Sequence, residues 1–207
     1  MNRNFLKFGL FLVLVLSIAL LYSCGKSEDD GGASTIKATS VVNNVHNAIS
    51  DSEVITVKAV ASDGGVIAET QYKNKGFTLE LPSTVPDKYL QLILQHETHG
   101  ISISDESAKA FTLENINIRG YDKDNYSIGY FSFNGSIYEN TEHYVSWVYV
   151  DRDVTVKGEV YTDLSKYDLD LKKGWNVVYN SYKFSTDIYS YTTQKPDDKY
   201  GWGWRSN

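Results

Sequence analysis

An all-β fold, built as an antiparallel sandwich, is what the 207-residue chain predicts. Three observations lead there. From Ile36 onward apolar and polar residues alternate with period two, which places one face of each segment in a core and the other in water. Asp-Gly, Asn-Gly and Lys-Gly pairs recur between those segments, and such pairs reverse a chain because glycine takes positive φ freely. The chain holds 16 Tyr, 8 Phe and 4 Trp against 1 Met and 3 Pro, a composition suited to pleated, half-buried surfaces rather than to helices.

The segments before the body come first. Residues 1–7, MNRNFLK, carry Arg3 and Lys7 and no acid, and the next fifteen are nearly all apolar. A basic start followed by an apolar run has the shape of a secretory signal. The uncharged stretch from Phe8 to Cys24 is 17 residues, at the short edge of what spans a bilayer, so a membrane helix is the competing reading. The run ends in Leu21-Tyr22-Ser23-Cys24. This resembles the bacterial lipobox: an aliphatic residue at −3, a small residue at −1, then the cysteine that receives lipid. Tyr22 is bulkier than the usual residue at −2. The likeness implies that residues 1–23 are a lipoprotein signal peptide and that Cys24 is the lipid-attachment site, carrying palmitate-type acyl chains. Each buried CH₂ contributes roughly 0.8 kcal/mol, so two or three chains make an effectively permanent anchor. Cys24 is the single cysteine, so the mature chain holds no internal disulfide.

GKSEDDGGAST, residues 25–35, is rich in Gly, Ser and acids, which stay solvated. With Cys24 it forms the tether, 24–35; eleven residues reach about 40 Å at most. The acids at 27–30 resemble the sorting signal that follows the lipid cysteine in surface-displayed lipoproteins of Bacteroidetes-type bacteria. That likeness implies a cell-envelope, outer-membrane location facing outward; a periplasm-facing leaflet is the alternative.

The body, 36–207, reads as strands. In VITVKAVAS, Ile55, Val57, Ala59 and Ala61 share one face and Thr56, Lys58 and Ser62 the other. Asp63-Gly64-Gly65 turns this segment into VIAETQY. In GFTLELP, Phe77, Leu79 and Leu81 alternate with Thr78 and Glu80. YLQLILQ sets Leu90, Leu92, Leu94 and then His96 in phase. A short helix is expected near SDESAKAF, 104–111. Asn134-Gly135 parts SIGYFSF from SIYEN. Val154, Val156 and Val160 alternate with Thr155, Lys157 and Glu159; Tyr167, Leu169 and Leu171 alternate with Asp168 and Asp170. Lys173-Gly174 then turns the chain into WNVVYNSY. Residues 36–95 resemble the transthyretin-like sandwiches of bacterial surface proteins, on the strength of ITVKAVASDGG, KGFTLELP and YLQLILQ. LKKGWNVVY and the closing TTQKPDDKYGWGW resemble uncharacterised lipoproteins of the same bacterial group. One body or two packed β-subdomains both fit, with any seam near 100–109.

Few residues point to chemistry. His96 and His99 in HETHG lack the spacing of a helical zinc pair and, on a strand, point to opposite faces. Asp122, Asp124 and Asn125 echo a calcium loop, but Tyr126, Ser127 and Phe133 stand where an oxygen ligand, the turn glycine and the bidentate Glu belong. A polar hairpin connection is the expected role. No metal site and no cofactor are expected, and no nucleophile elbow, Cys/His pair or phosphate loop is present, so the chain leans away from an enzyme. Without residues 1–23 the balance is 18 basic against 26 acidic residues, or −8, which excludes nucleic acid as a natural partner.

The aromatics are the strongest lead. Trp147, Trp175, Tyr200, Trp202 and Trp204 are the candidate ligand-binding residues, because rings on a rigid sheet stack on sugars and anchor half-wet interfaces. Tyr144, Tyr149, Tyr179 and Tyr182 accompany them; packing the core is the competing role. The sequence therefore predicts a lipid-anchored envelope protein that displays a β-sandwich to a glycan or an envelope protein. A small envelope hydrolase and a structural accessory of an outer-membrane complex are the alternatives.

Overall fold

A computed structural model of the protein describes residues 34–43, 50–93, 100–135, 137, 140–160 and 164–207. The signal segment, Cys24, the tether up to residue 33, and His96 with His99 lie outside the described residues. The contacts of Gly31–Asn207 form one unit.

Sixteen strands follow one another: β1 (Thr35–Ala38), β2 (Val42–Asn43), β3 (Thr56–Val60), β4 (Val66–Gln71), β5 (Phe77–Glu80), β6 (Gln91–Leu92), β7 (Ile101–Ile103), β8 (Lys109–Leu113), β9 (Ile118–Tyr121), β10 (Ser127–Gly135), β11 (Thr141–Val150), β12 (Val154–Val160), β13 (Ser165–Leu171), β14 (Gly174–Lys183), β15 (Ile188–Thr192) and β16 (Tyr200–Ser206). Helix is confined, among the described residues, to three short 3-10 turns. The fold is all-β and sandwich-like, as the alternation predicts.

The strands form two layers. One runs β4-β3-β9-β10-β16-β2, and the other β6-β8-β11-β14-β15-β13-β12-β7. They are continuous through the β10–β11 connection at the pair Asn134–Tyr144. All pairings are antiparallel except β13–β15 and β16–β2. β1 and β5 form a separate antiparallel ribbon.

The alternation decides what each layer buries. In β3, Val57 and Ala59 are fully buried; a register shift after Ala59 then lets Val60 and Ala61 both turn inward. Ile55, at the rim, is 49% exposed, so the apolar face starts one position later than the pattern suggests. Phe77, Leu79 and Leu81 are buried as expected, as are Val154, Val156, Val160, Leu169 and Leu171. The outward residues of β12 and β13 pair instead: Lys157 with Asp168 at 2.5 Å and Lys166 with Glu159 at 2.8 Å. Such exposed pairs contribute little energy but favour one register.

The core is in two parts. The first fills the space between the two layers and is capped by the β1–β5 ribbon. It holds Ile36, Val57, Phe77, Leu79, Phe131 and all four tryptophans. Trp204 is fully buried over a floor of backbone. A Cβ on Gly120 would lie 2.6 Å from its Cζ3, and one on Gly129 2.6 Å from its Cη2, so only glycine leaves room for the ring.

The second part holds Ala108, Val150, Val154, Val156, Leu169, Leu171 and Val178. These residues share one face of the second layer. Side chains on one face of a flat sheet cannot bury one another across several strands, so the layer rolls on itself around them. Hydrogen bonds from Ser104 N to Thr155 O and from Asp151 N to Lys109 O extend the β7–β12 and β8–β11 ladders on either side of the 104–108 turn. β11 and β14 therefore bury both faces: Trp147 and Trp175 point to the first part, Val150 and Val178 to the second. Inside the roll, Asn180 Nδ2 donates to Ser146 Oγ at 3.0 Å, and both residues are buried.

Four expectations need correction. Residues 104–108 form a turn rather than a helix. Asp105 Oδ1 accepts from the Ser107 amide and hydroxyl, and this local bonding outcompetes the first helical turn before β8 begins at Lys109. Asn134-Gly135 is not a turn. β10 runs through it because β16 pairs with Gly129 through Gly135, and the reversal ends later, at Asn140 with φ 60°. Lys173-Gly174 does reverse the chain, with Gly174 at φ 99°, but it makes no hairpin: β15 lies between β13 and β14. Among the described residues of YLQLILQ, 89–93, only Gln91 and Leu92 form a strand, β6, and Leu92 is exposed rather than in a core.

Candidate functional site

The sequence nominated Trp147, Trp175, Tyr200, Trp202 and Trp204 as ligand-stacking rings. The structure brings them together, but inside. Trp147, Trp175 and Trp202 are 5–8% exposed and Trp204 is 0% exposed. Trp202 stacks on Trp147 at 5.9 Å and on Phe133 at 4.9 Å, and meets Phe77 edge-on at 5.3 Å. Its Nε1 donates to Lys37 O at 3.0 Å, while Trp175 Nε1 donates to Pro82 O at 2.8 Å. Ring faces that a sugar would cover are covered by protein, and the Trp175 and Trp202 N–H groups are bonded to backbone. These indoles are core, because the two-layer arrangement turns the YGWGW rings inward and leaves Gly201 and Gly203 outward.

Tyr200 sits at the edge of the first core part, in a polar cluster that sequence reading missed. β11 places His143 on the face of Val145 and Trp147, opposite Ser181 of β14. His143 Nδ1 lies 3.2 Å from Asp198 Oδ2, in the segment before β16. The Tyr200 hydroxyl is buried without a hydrogen-bond partner. Burial first, and then the Asp198 and Tyr179 charges, push its phenol up to about 12, so it stays neutral at ordinary pH. The cluster has the imidazole–carboxylate half of a nucleophile-activating site. The pair joins β11 to the segment before β16, the strand that completes the first layer.

Other acids are also engaged in structure. Asp51 is buried and accepts from the Tyr72 hydroxyl at 2.6 Å; burial, reinforced by that carboxylate, drives the Tyr72 phenol strongly upward. Asp122 Oδ1 accepts the amides of Asp124 and Tyr126, closing the β9–β10 turn, as expected for a polar hairpin connection. Among the described residues no group of three or more His, Cys, Asp or Glu could hold a metal ion.

Exposed rings occur elsewhere, on the β14–β15 hairpin. Lys183 pairs with Ile188, and Lys183 O accepts the amides of Thr186 and Asp187, so residues 184–187 form a tight reversal with Asp187 at φ 59°. Along β14 one face runs from buried Val178 through Asn180 to Tyr182 at the rim. Tyr182 stacks on Tyr189 at 4.5 Å and meets Phe184 at 5.1 Å. Its hydroxyl donates to Asp187 Oδ1, and that bond leads the effects that push the phenol up to about 12. Phe184 is 50% exposed and Tyr189 36%. Deeper on the same face Tyr167 stacks on Tyr191 at 5.0 Å. The sequence signal was present in YKFSTDIYSY: Tyr182, Tyr189 and Tyr191 lie on the two arms of a four-residue reversal that Phe184 opens.

No family model, curated protein or solved structure matches the chain.

Proposed function

We propose that the chain is a lipid-anchored cell-envelope protein that displays its β body as a binding surface, held to the outer membrane through Cys24 and facing outward. The observation that carries this reading is Leu21-Tyr22-Ser23-Cys24 at the end of an apolar run with a basic start. The Gly-, Ser- and acid-rich stretch that follows Cys24, residues 25–35, supports it as a solvated tether. Under this reading the ring shelf of Tyr182, Phe184 and Tyr189 receives a sugar ring: two partly exposed aromatic faces provide dispersion contact, and Asp187 stands beside them as a hydrogen-bond acceptor.

Cys24→Ala is expected to release the protein from the membrane fraction. Mass spectrometry of the native protein is expected to find a diacylglyceryl thioether on the new N-terminal cysteine. Protease treatment of intact cells is expected to digest the body; protection would place it on the periplasmic side. An unmodified Cys24 sulfur, or membrane retention of the alanine variant, would overturn the anchor.

The shelf is tested with a chain beginning at Gly25, which keeps the whole Gly31–Asn207 unit. Affinity electrophoresis through gels containing neutral polysaccharides is expected to retard it, and Phe184→Ala/Tyr189→Ala is expected to lose at least tenfold in affinity, since aromatic contacts contribute on the order of 1 kcal/mol each. Equal retardation of the two proteins, or none on any polysaccharide, would remove the sugar from the proposal.

A further inference from the structure

We infer that the groove between the β1–β5 ribbon and the β4–β5 turn binds a phosphate oxyanion through Lys37 and Lys73, with Lys75 of the bounding turn adding positive charge, and that an anionic lipid headgroup supplies that phosphate. The groove is an open surface depression of about 420 Å³, and Lys37, Lys73, Ser40, Gln71 and Thr78 are among the side chains that line it. No Asp or Glu lines it, in a mature chain that carries 18 basic and 26 acidic residues. Lys58, Lys123, Lys157, Lys166 and Lys172 each reach a carboxylate. Lys37, Lys73 and Lys75 have no ion pair among the described residues. Glu80, further along β5, accepts from the Thr35 hydroxyl.

The backbone sets this concentration of charge. Lys37 lies opposite Thr78 in the β1–β5 ladder, so the two side chains point the same way. The bridge between Lys73 and Gly76 closes the neighbouring turn, with Asn74 at φ 54° and Lys75 at φ 57°. Lysine rarely adopts that left-handed region. Here the Val41 amide holds Lys75 O at 3.0 Å, and Ser40 beside it is also left-handed, at φ 54°. The Trp202 indole fixes Lys37 from beneath through its carbonyl. Two exposed lysines, Lys37 and Lys73, thus line the groove on rigid backbone beside hydroxyls able to donate to phosphate, and exposed Lys75 stands in the turn that bounds it.

The source of the phosphate rests on the anchor reading. Thr35 is eleven residues beyond Cys24, so a tether of at most about 40 Å keeps β1, and the groove with it, near the membrane surface. The groove would then orient the body on its anchor.

The test uses the chain beginning at Gly25, so its outcome does not depend on acylation of Cys24. Co-sedimentation is measured with phosphatidylcholine vesicles with and without phosphatidylglycerol. Binding is expected only to the anionic vesicles, to weaken with salt, and to fall about a hundredfold in Lys37→Gln/Lys73→Gln/Lys75→Gln. The control Lys183→Gln/Lys195→Gln/Lys199→Gln makes the same charge change elsewhere and is expected to bind as the parent does. Both variants are first checked for the parent's circular dichroism melt. In a second arm, inorganic phosphate is titrated while the amide resonances of residues 73–76 are followed. If phosphate moves them in the parent but not in the groove variant, and vesicles do not bind, the oxyanion site stands with free phosphate as its source. If the groove variant binds vesicles no more weakly than the control and phosphate moves no resonance, the inference is overturned.

Discussion

Trp204→Ala is expected to lower the stability of the body by about 3–5 kcal/mol, the range for removing a large buried aromatic, in urea unfolding followed by far-UV circular dichroism. That is a large share of the roughly 5–15 kcal/mol that separates a folded domain from its unfolded chain. The upper part of the range is expected because the hole cannot close. Trp204 rests on Gly120 and Gly129, and Phe131 lies 4.9 Å from its ring. Backbone in a paired sheet does not collapse into a void as flexible side chains do. The glycines give an internal check. Gly120→Ala alone is expected to destabilise by about 1–3 kcal/mol, because its methyl enters the Trp204 ring. Its other close contact, Val54 Cγ2 at 3.0 Å, is met by a shift of a few tenths of an ångström in that side chain. In the Trp204→Ala background the same methyl enters the hole and is expected to be neutral or stabilising. Gly129→Ala is not expected to be rescued in this way, since its Cβ would also lie 2.3 Å from Arg205 O. Additive effects for Trp204 and Gly120 would show that the ring does not rest on that glycine.

The parts of this arrangement legible in the sequence are those set by local pattern. Val57 and Ala59, Phe77 and Leu79, Val154 and Val156, and Leu169 and Leu171 each announce their buried face by period two. Asp63-Gly64 makes its hairpin because the two strands it joins pair directly. Long-range pairing carries the rest. Asn134-Gly135 has the chemistry of a turn, yet a strand some seventy residues later in the chain lies along its edge and keeps it extended. YGWGW shows that three rings share a side but not whether that side is wet; the second layer decides, by lying across it. HYVSWVYV reads as a nearly continuous apolar run, and only the rolled layer shows that Trp147 and Val148 serve two different core parts. The polar features were hidden for the same reason. His143 meets Asp198, and Lys37 meets Lys73, only through the sheet. The β14–β15 rings were locally visible, being clustered within ten residues around their turn, but were less conspicuous than the tryptophans.

Leu171→Ala is expected to cost about 2–5 kcal/mol and, more tellingly, to be reported in full by tryptophan fluorescence. Leu171 belongs to the second core part, whereas all four tryptophans belong to the first. If the two parts were separate folding units, removing Leu171 would leave the fluorescence transition in place and split it from the circular dichroism transition. The sheet argues otherwise. β11 and β14 pair along their entire length, ten residue pairs from Thr141–Lys183 to Val150–Gly174, and each of these strands forms a wall of both parts. Releasing the roll around Leu171 uncovers Val150 and Val178, and with them the reverse face of the strands that hold Trp147 and Trp175. Neither part can therefore open without exposing the back of the other. With a urea slope of about 1–3 kcal/mol per molar, the fluorescence midpoint is expected to fall by on the order of 1–2 M, together with the circular dichroism midpoint and with an unchanged slope. A fluorescence midpoint that stays put while circular dichroism loses amplitude earlier would mean that the shared strands do not couple the two halves, and that the roll is a domain in its own right.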